Sequence, residues 1–136
     1  MKGYLMQRQT IVRGQDTFIE SFSPENNFGV VFEDDGETAY FYALEKDPAS
    51  QEQRVLDALH IYETEEGMEE KQFSLFMIWS KDWLKCALVI DGICNALFDF
   101  ENQGGYNLNE FPPPNGIWTR GGRELVKEVI DAAFPA

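Results

Sequence analysis

The sequence predicts a single α+β domain, residues 1–136, in which a mainly antiparallel, twisted β-sheet of about six strands packs against one C-terminal helix. Two Asp-Gly pairs lie between apolar runs, the pattern of tight hairpins. The 11 Phe, 5 Tyr and 3 Trp among 136 residues favour strands. Clear helical spacing of apolar residues occurs only near the C-terminus.

The first half of the chain predicts two weak strands and one hairpin. Residues 9–12 and 17–22 are read as short strands, the first at a sheet edge. Residues 28–32 and 38–44 flank Asp34-Asp35-Gly36, which suits a type I′ turn. Both faces of segment 38–44 are largely apolar, so this strand is expected to be central and covered on both sides.

The second half predicts four further strands. Residues 55–63 fit a helix or a strand, and the ending Ile61-Tyr62 favours a strand with Val55, Leu59 and Ile61 on one face. Residues 73–79 form an apolar strand. Residues 84–90 and 93–100, joined by Asp91-Gly92, form the clearest hairpin.

The C-terminal part predicts a loop followed by a helix. Residues 101–119, which include three consecutive prolines, read as loop. Residues 123–134 read as the helix, closed by Pro135. Its apolar stripe consists of Leu125, Val126, Val129, Ile130 and Ala133.

The two cysteines are predicted to be free thiols. With Asp91-Gly92 as a two-residue loop, Ile90 faces Ile93, Val89 faces Cys94, and Cys86 faces Leu97. Cys86 and Cys94 then point to opposite faces of the sheet, which forbids a disulfide.

The charge balance excludes some partners and favours others. The net charge is −13, from 24 acidic and 11 basic residues. This disfavours nucleic acid and anionic membranes, which both need a basic face. Neither a signal peptide nor a transmembrane segment is apparent, so a cytoplasmic location is expected. The alternative meaning of the acidity is solubility alone.

A folded acidic region is the sharpest functional hint. Between Arg13 and Lys46 there are eight carboxylates and no lysine or arginine. Such a surface attracts basic proteins. The loop 111–118 carries two large aromatic residues, which either tuck back onto the sheet or form a recognition patch. The predicted partner-binding residues are Glu33, Asp34, Asp35, Glu37, Asp99, Glu101, Phe111 and Trp118.

No catalytic residue, metal ligand set or cofactor motif is predicted. His60 is the only histidine, so a site with two histidines is excluded, and a hydrogen-bonded histidine in a strand is the favoured interpretation. Segment 33–37 lacks the ligand spacing of a calcium-binding EF-hand. Enzymatic function is therefore not favoured.

Several segments together resemble a family of small bacterial proteins of unknown function, over about residues 28–118. The resemblance implies no catalytic residue; by analogy, small acidic bacterial proteins of this kind resemble immunity proteins of toxin systems. The segments that carry it are Phe-Glu-Asp-Asp-Gly-Glu-Thr-Ala-Tyr-Phe-Tyr-Ala at 32–43, Asp-Ala-Leu-His-Ile-Tyr at 57–62, Trp79-Ser80 with Leu84-Lys85, Ala-Leu-Phe-Asp-Phe at 96–100, Gly105-Tyr106 and Phe-Pro-Pro-Pro at 111–114.

The leading functional hypothesis is an acidic protein-binding module, such as an immunity protein that masks a basic toxin, for example a nuclease. One alternative is a small-ligand-binding or enzymatic domain with a pocket between helix and sheet. Another is a structural homodimer.

Overall fold

The chain forms two antiparallel β-sheets that pack face to face, with one short helix on the outer side. The computed structural model describes residues 1–135. The strands are β1 (Tyr4–Val12), β2 (Thr17–Phe22), β3 (Phe28–Asp34), β4 (Thr38–Lys46), β5 (Gln53–Glu63), β6 (Gln72–Trp79), β7 (Lys85–Ile90), β8 (Ile93–Asp99) and β9 (Gly104–Asn107), and the helix is α1 (Lys127–Ala133).

The strand count and layering correct the single six-stranded sheet predicted from the sequence. One sheet has five strands in the order β1-β6-β7-β8-β9, and the other has four in the order β2-β3-β4-β5. The fold remains mainly antiparallel sheet with a C-terminal helix. Two strands were underestimated: β1 begins five residues earlier than expected, at Tyr4, and β9 lies within the segment predicted as loop.

The main core lies between the two sheets and is aromatic. Phe41 of the four-stranded sheet stacks on Phe98 of the five-stranded sheet, with ring centroids 5.1 Å apart. Trp79 donates its indole N–H to Ser21 across the layers, at 3.0 Å. Alternating side chains of both sheets point into this layer because successive residues of a strand face opposite sides.

The helix is shorter than predicted and contributes only a satellite core. It begins at Lys127, not at residue 123, and packs outside the five-stranded sheet. Ala133 and Phe134 lie there against Val89 and Leu97. At seven residues, α1 is far from the length of a membrane span, and no described helix could cross a bilayer.

Residues 108–124, here called the strap, close the edge between β5 and β9. Arg123 was predicted to open the helix but is buried in the strap. Its guanidinium forms a bidentate ion pair with Asp57 of β5, with N–O distances of 2.8 and 2.9 Å. Thr119 donates a hydrogen bond to the same carboxylate, and Trp118 packs on Phe98 and Phe100.

The Asp91-Gly92 hairpin is confirmed, with one correction in its register. Both turn residues have positive φ, 49° and 79°, and Val89 faces Cys94 as predicted. A β-bulge then shifts the pairing, so that Cys86 faces Phe98 instead of Leu97. At the first hairpin only Gly36 has a positive φ, so that turn is not type I′.

Bulges in β5 also change which side chains face the core. The β4–β5 register shifts between Ala43 and Leu44, which inserts Leu56 as an extra residue. Leu56 and Leu59 are buried between the sheets, whereas Val55 is 60% exposed. The prediction that Val55 and Leu59 share a face is therefore wrong.

Both cysteines are free, as predicted, and we expect them to be unreactive in the folded state. Burial raises the pKa of Cys94 to about 11 and that of Cys86 well above its usual value. Two pKa units leave about 100-fold less thiolate, the reactive species. Labelling with a disulfide reagent at about pH 8 should therefore be at least about 100-fold slower in native than in denatured protein; fast native labelling of one thiol would contradict the burial of Cys94.

Candidate functional site

The acidic hairpin between β3 and β4 has one buried and several exposed carboxylates. Asp34 was predicted to face a partner but is only 1% exposed. It accepts hydrogen bonds from the backbone N–H groups of Gly14 and Gly36 and from the Tyr62 hydroxyl, the last at 2.6 Å. Burial and the Asp34 hydrogen bond raise the pKa of Tyr62. Asp34 therefore fixes the turn and is not part of the surface.

The neighbouring Asp35 and Glu37 are exposed. Asp35 accepts hydrogen bonds from the backbone N–H groups of Thr38 and Glu37, which lower its pKa and hold it ionised. Glu37 accepts a backbone hydrogen bond from Thr64 at 2.7 Å, which joins this hairpin to the β5–β6 turn. The exposed carboxylates of these two turns, here called the acidic rim, are Asp35, Glu37, Glu63, Glu65 and Glu66.

The acidic rim surrounds a shallow groove of about 460 Å³. Two basic residues lie at this end of the molecule, and each of them already contacts other groups of the same chain. Arg13 hydrogen-bonds the Glu63 carbonyl and lies over the Tyr62 ring, and Lys71 lies over Phe73. Among the described residues, no three His, Cys, Asp or Glu side chains are placed to hold a metal ion.

Asp99 and Glu101, predicted to share the same surface, lie at the opposite end of the molecule. Lys85 at the start of β7 pairs with Glu101 at 2.9 Å, and Asp99 caps the β8–β9 turn. Asp34 instead contacts Tyr62, which packs on Phe73 at the start of β6. The length of β6, eight residues at about 3.3 Å each, separates the two ends by roughly 25 Å.

The outer face of the four-stranded sheet is aromatic; α1 does not cover it, and of the described elements only the strap reaches it, at the β5 edge. Cross-strand pairing aligns Phe18 with Glu33, Glu33 with Tyr40, and Tyr40 with His60. Tyr42 stacks beside Tyr40 at 6.0 Å, and Phe18 is 62% exposed. The prediction that β4 is covered on both sides is wrong, because α1 packs on the other sheet.

The strap adds one aromatic ring to this outer face and buries the other. Phe111 is 51% exposed and meets His60 edge-on, with centroids 5.9 Å apart. Trp118, predicted alongside it as a partner-binding residue, is 9% exposed and belongs to the core. Of the two alternatives for the 111–118 loop, packing back onto the sheet applies to Trp118, and exposure at the surface applies to Phe111. The outer-face set of Phe18, Tyr40, Tyr42, His60 and Phe111 is here called the aromatic face.

His60 is oriented by the strap. The Asn109 Oδ1 atom accepts hydrogen bonds from Asn107 Nδ2 and Phe111 N, so its Nδ2 faces His60 Nδ1 at 2.7 Å. A donor at Nδ1 leaves the proton of the neutral ring on Nε2. The Nε2 atom is buried, without a hydrogen-bond partner, 3.6 Å from a Glu63 carboxylate oxygen.

We expect the neutral His60 ring to be the Nε2–H tautomer, and Asn109→Asp to move the proton to Nδ1. A carboxylate accepts a hydrogen bond where the amide donated one. Long-range ¹H–¹⁵N correlation spectra of the single histidine distinguish the two tautomers directly. An Nδ1–H signal in the unmodified protein would contradict the assigned Asn109 contact.

A cleft of about 350 Å³ lies between α1 and the five-stranded sheet. Its floor is apolar, with Leu97 and Val129, and its rim carries Asp99, Glu101 and Glu128. Burial and the nearby Asp99 charge raise the pKa of Tyr106 in its wall. Burial acts to lower the pKa of Lys85, but its hydrogen bonds to Asp82 and Glu101 outweigh this and raise it.

Of the residues predicted to bind a partner, Glu33, Asp35 and Glu37 lie in or next to the β3–β4 turn, and Phe111 lies in the strap against His60 of β5. Sequence reasoning missed Phe18, Tyr40 and Tyr42. The signal that could have identified the tyrosines was the apolar character of both faces of β4, which indicated an outer layer that the fold does not supply.

Comparisons with known proteins identify relatives that are themselves uncharacterized. A family model described as "Uncharacterized protein conserved in bacteria (DUF2251)" matches residues 11–134. An uncharacterized protein of Haemophilus influenzae is 39% identical over 97 residues, or 69% of this chain. The match covers 59% of that relative, so the chain spans less than two thirds of its length. No solved structure matches the chain. The chain therefore belongs to the DUF2251 family of uncharacterized conserved bacterial proteins, as its resemblance to a bacterial family of unknown function predicted.

Proposed function

We propose that the protein is an acidic binding module for a basic protein, and that the aromatic face together with Glu33 and the acidic rim is its binding surface. One observation carries this proposal: an uncovered sheet face presents aromatic rings beside carboxylates that form no ion pair with Lys or Arg among the described residues. Tyrosine and phenylalanine are enriched where protein interfaces bury most of their energy.

The charge distribution supports a basic partner. The formal net charge of −13 and the clustered carboxylates produce a negative potential that speeds encounter with a positive surface. A toxin that acts on nucleic acid carries such a surface because it must bind phosphate. An immunity protein that masks this surface is the specific role we propose, on analogy with other small acidic bacterial proteins.

The proposal is tested by association kinetics with a partner captured from the source bacterium, identified by mass spectrometry and purified. Glu33→Gln/Asp35→Asn/Glu37→Gln should slow association about tenfold, with a smaller change in dissociation. The salt dependence between about 0.05 and 0.3 M should weaken in parallel. Asp35→Asn keeps an oxygen acceptor for the turn, whereas changing the buried Asp34 would disturb the fold.

A matched control removes charge from the other side of the molecule. Glu124→Gln/Glu128→Gln changes exposed carboxylates next to α1, outside the five-stranded sheet. This variant should associate at nearly the original rate. Slowing by both variants in proportion to the charge that each removes, three against two, would mean that only net charge matters, and unchanged kinetics in both would remove the proposed surface.

The cleft beside α1 supports a second candidate function, the binding of a small cationic ligand with an apolar portion. Its apolar floor and a rim of three carboxylates and one lysine, Lys85, which pairs with Glu101, favour that chemistry. Ala132→Phe would fill this cleft without touching the aromatic face. Loss of a small-ligand thermal shift in that variant, with partner binding unchanged, would assign the ligand to the cleft.

A further inference from the structure

The middle of the aromatic face contains a carboxylate between two rings. Phe18, Glu33 and Tyr40 lie opposite one another on β2, β3 and β4, one residue out of phase with the buried row of Ile19, Phe32 and Phe41. Two strand spacings place the Phe18 and Tyr40 backbones about 10 Å apart. The Glu33 side chain stands in the gap between them.

A lysine or arginine of the chain lies over several other aromatic rings, but none lies over Phe18 or Tyr40 among the described residues. Lys46 lies 3.9 Å from the centre of the Phe22 ring, on this same face at its other end. Arg8, Arg13 and Lys71 lie over Phe76, Tyr62 and Phe73. Among the described residues, Glu33 takes part in none of the ion pairs, and neither Phe18 nor Tyr40 has a cation over its ring.

The negative charge of Glu33 acts on the nearby Tyr42 hydroxyl. Burial raises the pKa of Tyr42, and the charges of Glu33, Tyr40 and Asp35 raise it further. A planar guanidinium placed between the two rings would lie next to both of them and to the Glu33 carboxylate, and it stacks on aromatic rings better than an ammonium does.

We infer that the basic partner presents an arginine side chain, which inserts between Phe18 and Tyr40 and pairs with Glu33. This inference rests on the proposed function and names the partner group that this surface recognises. The Phe18 ring, at 62% exposed, has the most area to lose on binding. A lysine ammonium would pair with Glu33 but would not stack on the aromatic rings, so the site prefers arginine to lysine.

The test uses N-acetyl-arginine-amide as the probe, titrated into ¹⁵N- and ¹³C-labelled protein, with N-acetyl-lysine-amide as the comparison. Shift changes should centre on Phe18, Glu33 and Tyr40, and arginine should bind at least about fivefold more tightly than lysine. Glu33→Gln should abolish the response, and Glu124→Gln, a change of an exposed carboxylate outside both the aromatic face and the cleft beside α1, should leave it unchanged. Glu33 is half-buried on the outer face of β3, and circular dichroism verifies that each variant is folded.

The outcomes separate this inference from the proposed function. No arginine response at Glu33, or equal binding of lysine, would overturn the inference, while slowed partner association in the triple-neutralised variant would leave the proposed function standing. A homodimer that dissociates on Glu33→Gln would make the occupant a second copy of the chain and overturn the assignment to a foreign partner. An arginine response together with loss of partner binding in Glu33→Gln supports both.

Discussion

Replacing Arg123 by methionine is expected to lower the free energy of unfolding by about 3–5 kcal/mol, because it leaves the Asp57 carboxylate buried without its counter-charge. The side chains of Arg123 and Asp57 are 1% and 4% exposed. The pair joins the strap to β5, so its loss also loosens the closure over Trp118. Urea denaturation, followed by tryptophan fluorescence, measures the change.

The matched control is Arg120→Met in the same strap. Arg120 is exposed and contacts only the Ile117 carbonyl, so its loss should change stability by less than about 0.5 kcal/mol. A double variant, Asp57→Leu with Arg123→Met, should recover much of the loss because no unpaired charge remains. An Arg123→Met midpoint equal to that of the original protein would show that the ion pair does not hold the strap.

Phe98→Ala is expected to cost about 3–5 kcal/mol through the cavity it leaves in a core that cannot collapse around it. Phe98 is fully buried and touches rings from both sheets and from the strap: Phe41, Phe100 and Trp118. Chemical denaturation provides the measurement. Phe18→Ala is the matched control, since that ring lies outside the core and should change stability little.

A small effect of Phe98→Ala would mean that the two sheets can close over the missing ring, contrary to the close stacking of Phe41 on Phe98. A large effect of Phe18→Ala would mean that the aromatic face contributes to folding, and its proposed use in binding would then lose its main support. The two substitutions together therefore test the core and the surface assignment.

The elements that the sequence predicted well are those fixed by neighbouring residues. The Asp91-Gly92 turn needs positive φ at both positions, and its flanking apolar runs pair as predicted next to the turn, from Ile90 and Ile93 to Val89 and Cys94. The β-branched and aromatic ending of β5 correctly indicated a strand. The bulges were not predicted, because one extra residue such as Leu56 has no recognisable signature in the amino-acid sequence. Each bulge nevertheless moves every later side chain of its strand to the opposite face of the sheet.

The start of the helix was predicted too early. Arg123 fits the sequence pattern of a helix, but in the structure it forms an ion pair with a distant residue instead. Its partner Asp57 is 66 residues away in sequence. A bidentate, buried ion pair outweighs the weak preference of a few residues for helix, so the chain stays extended through residue 124 and α1 starts at Lys127.

The antiparallel strands, the free cysteines, the C-terminal helix and the acidic hairpin of Glu33, Asp35 and Glu37 could be predicted from the amino-acid sequence. Those properties follow from local backbone preferences and from charge, which do not depend on distant contacts. The burial of Asp34, the position of Asp99 and Glu101 at the far end, and the absence of α1 from the outer face of β4 depend on how distant segments pack. Alternation along a strand shows which side chains share one face of a sheet. Whether another sheet or a helix covers that face depends on how the two sheets and the helix pack.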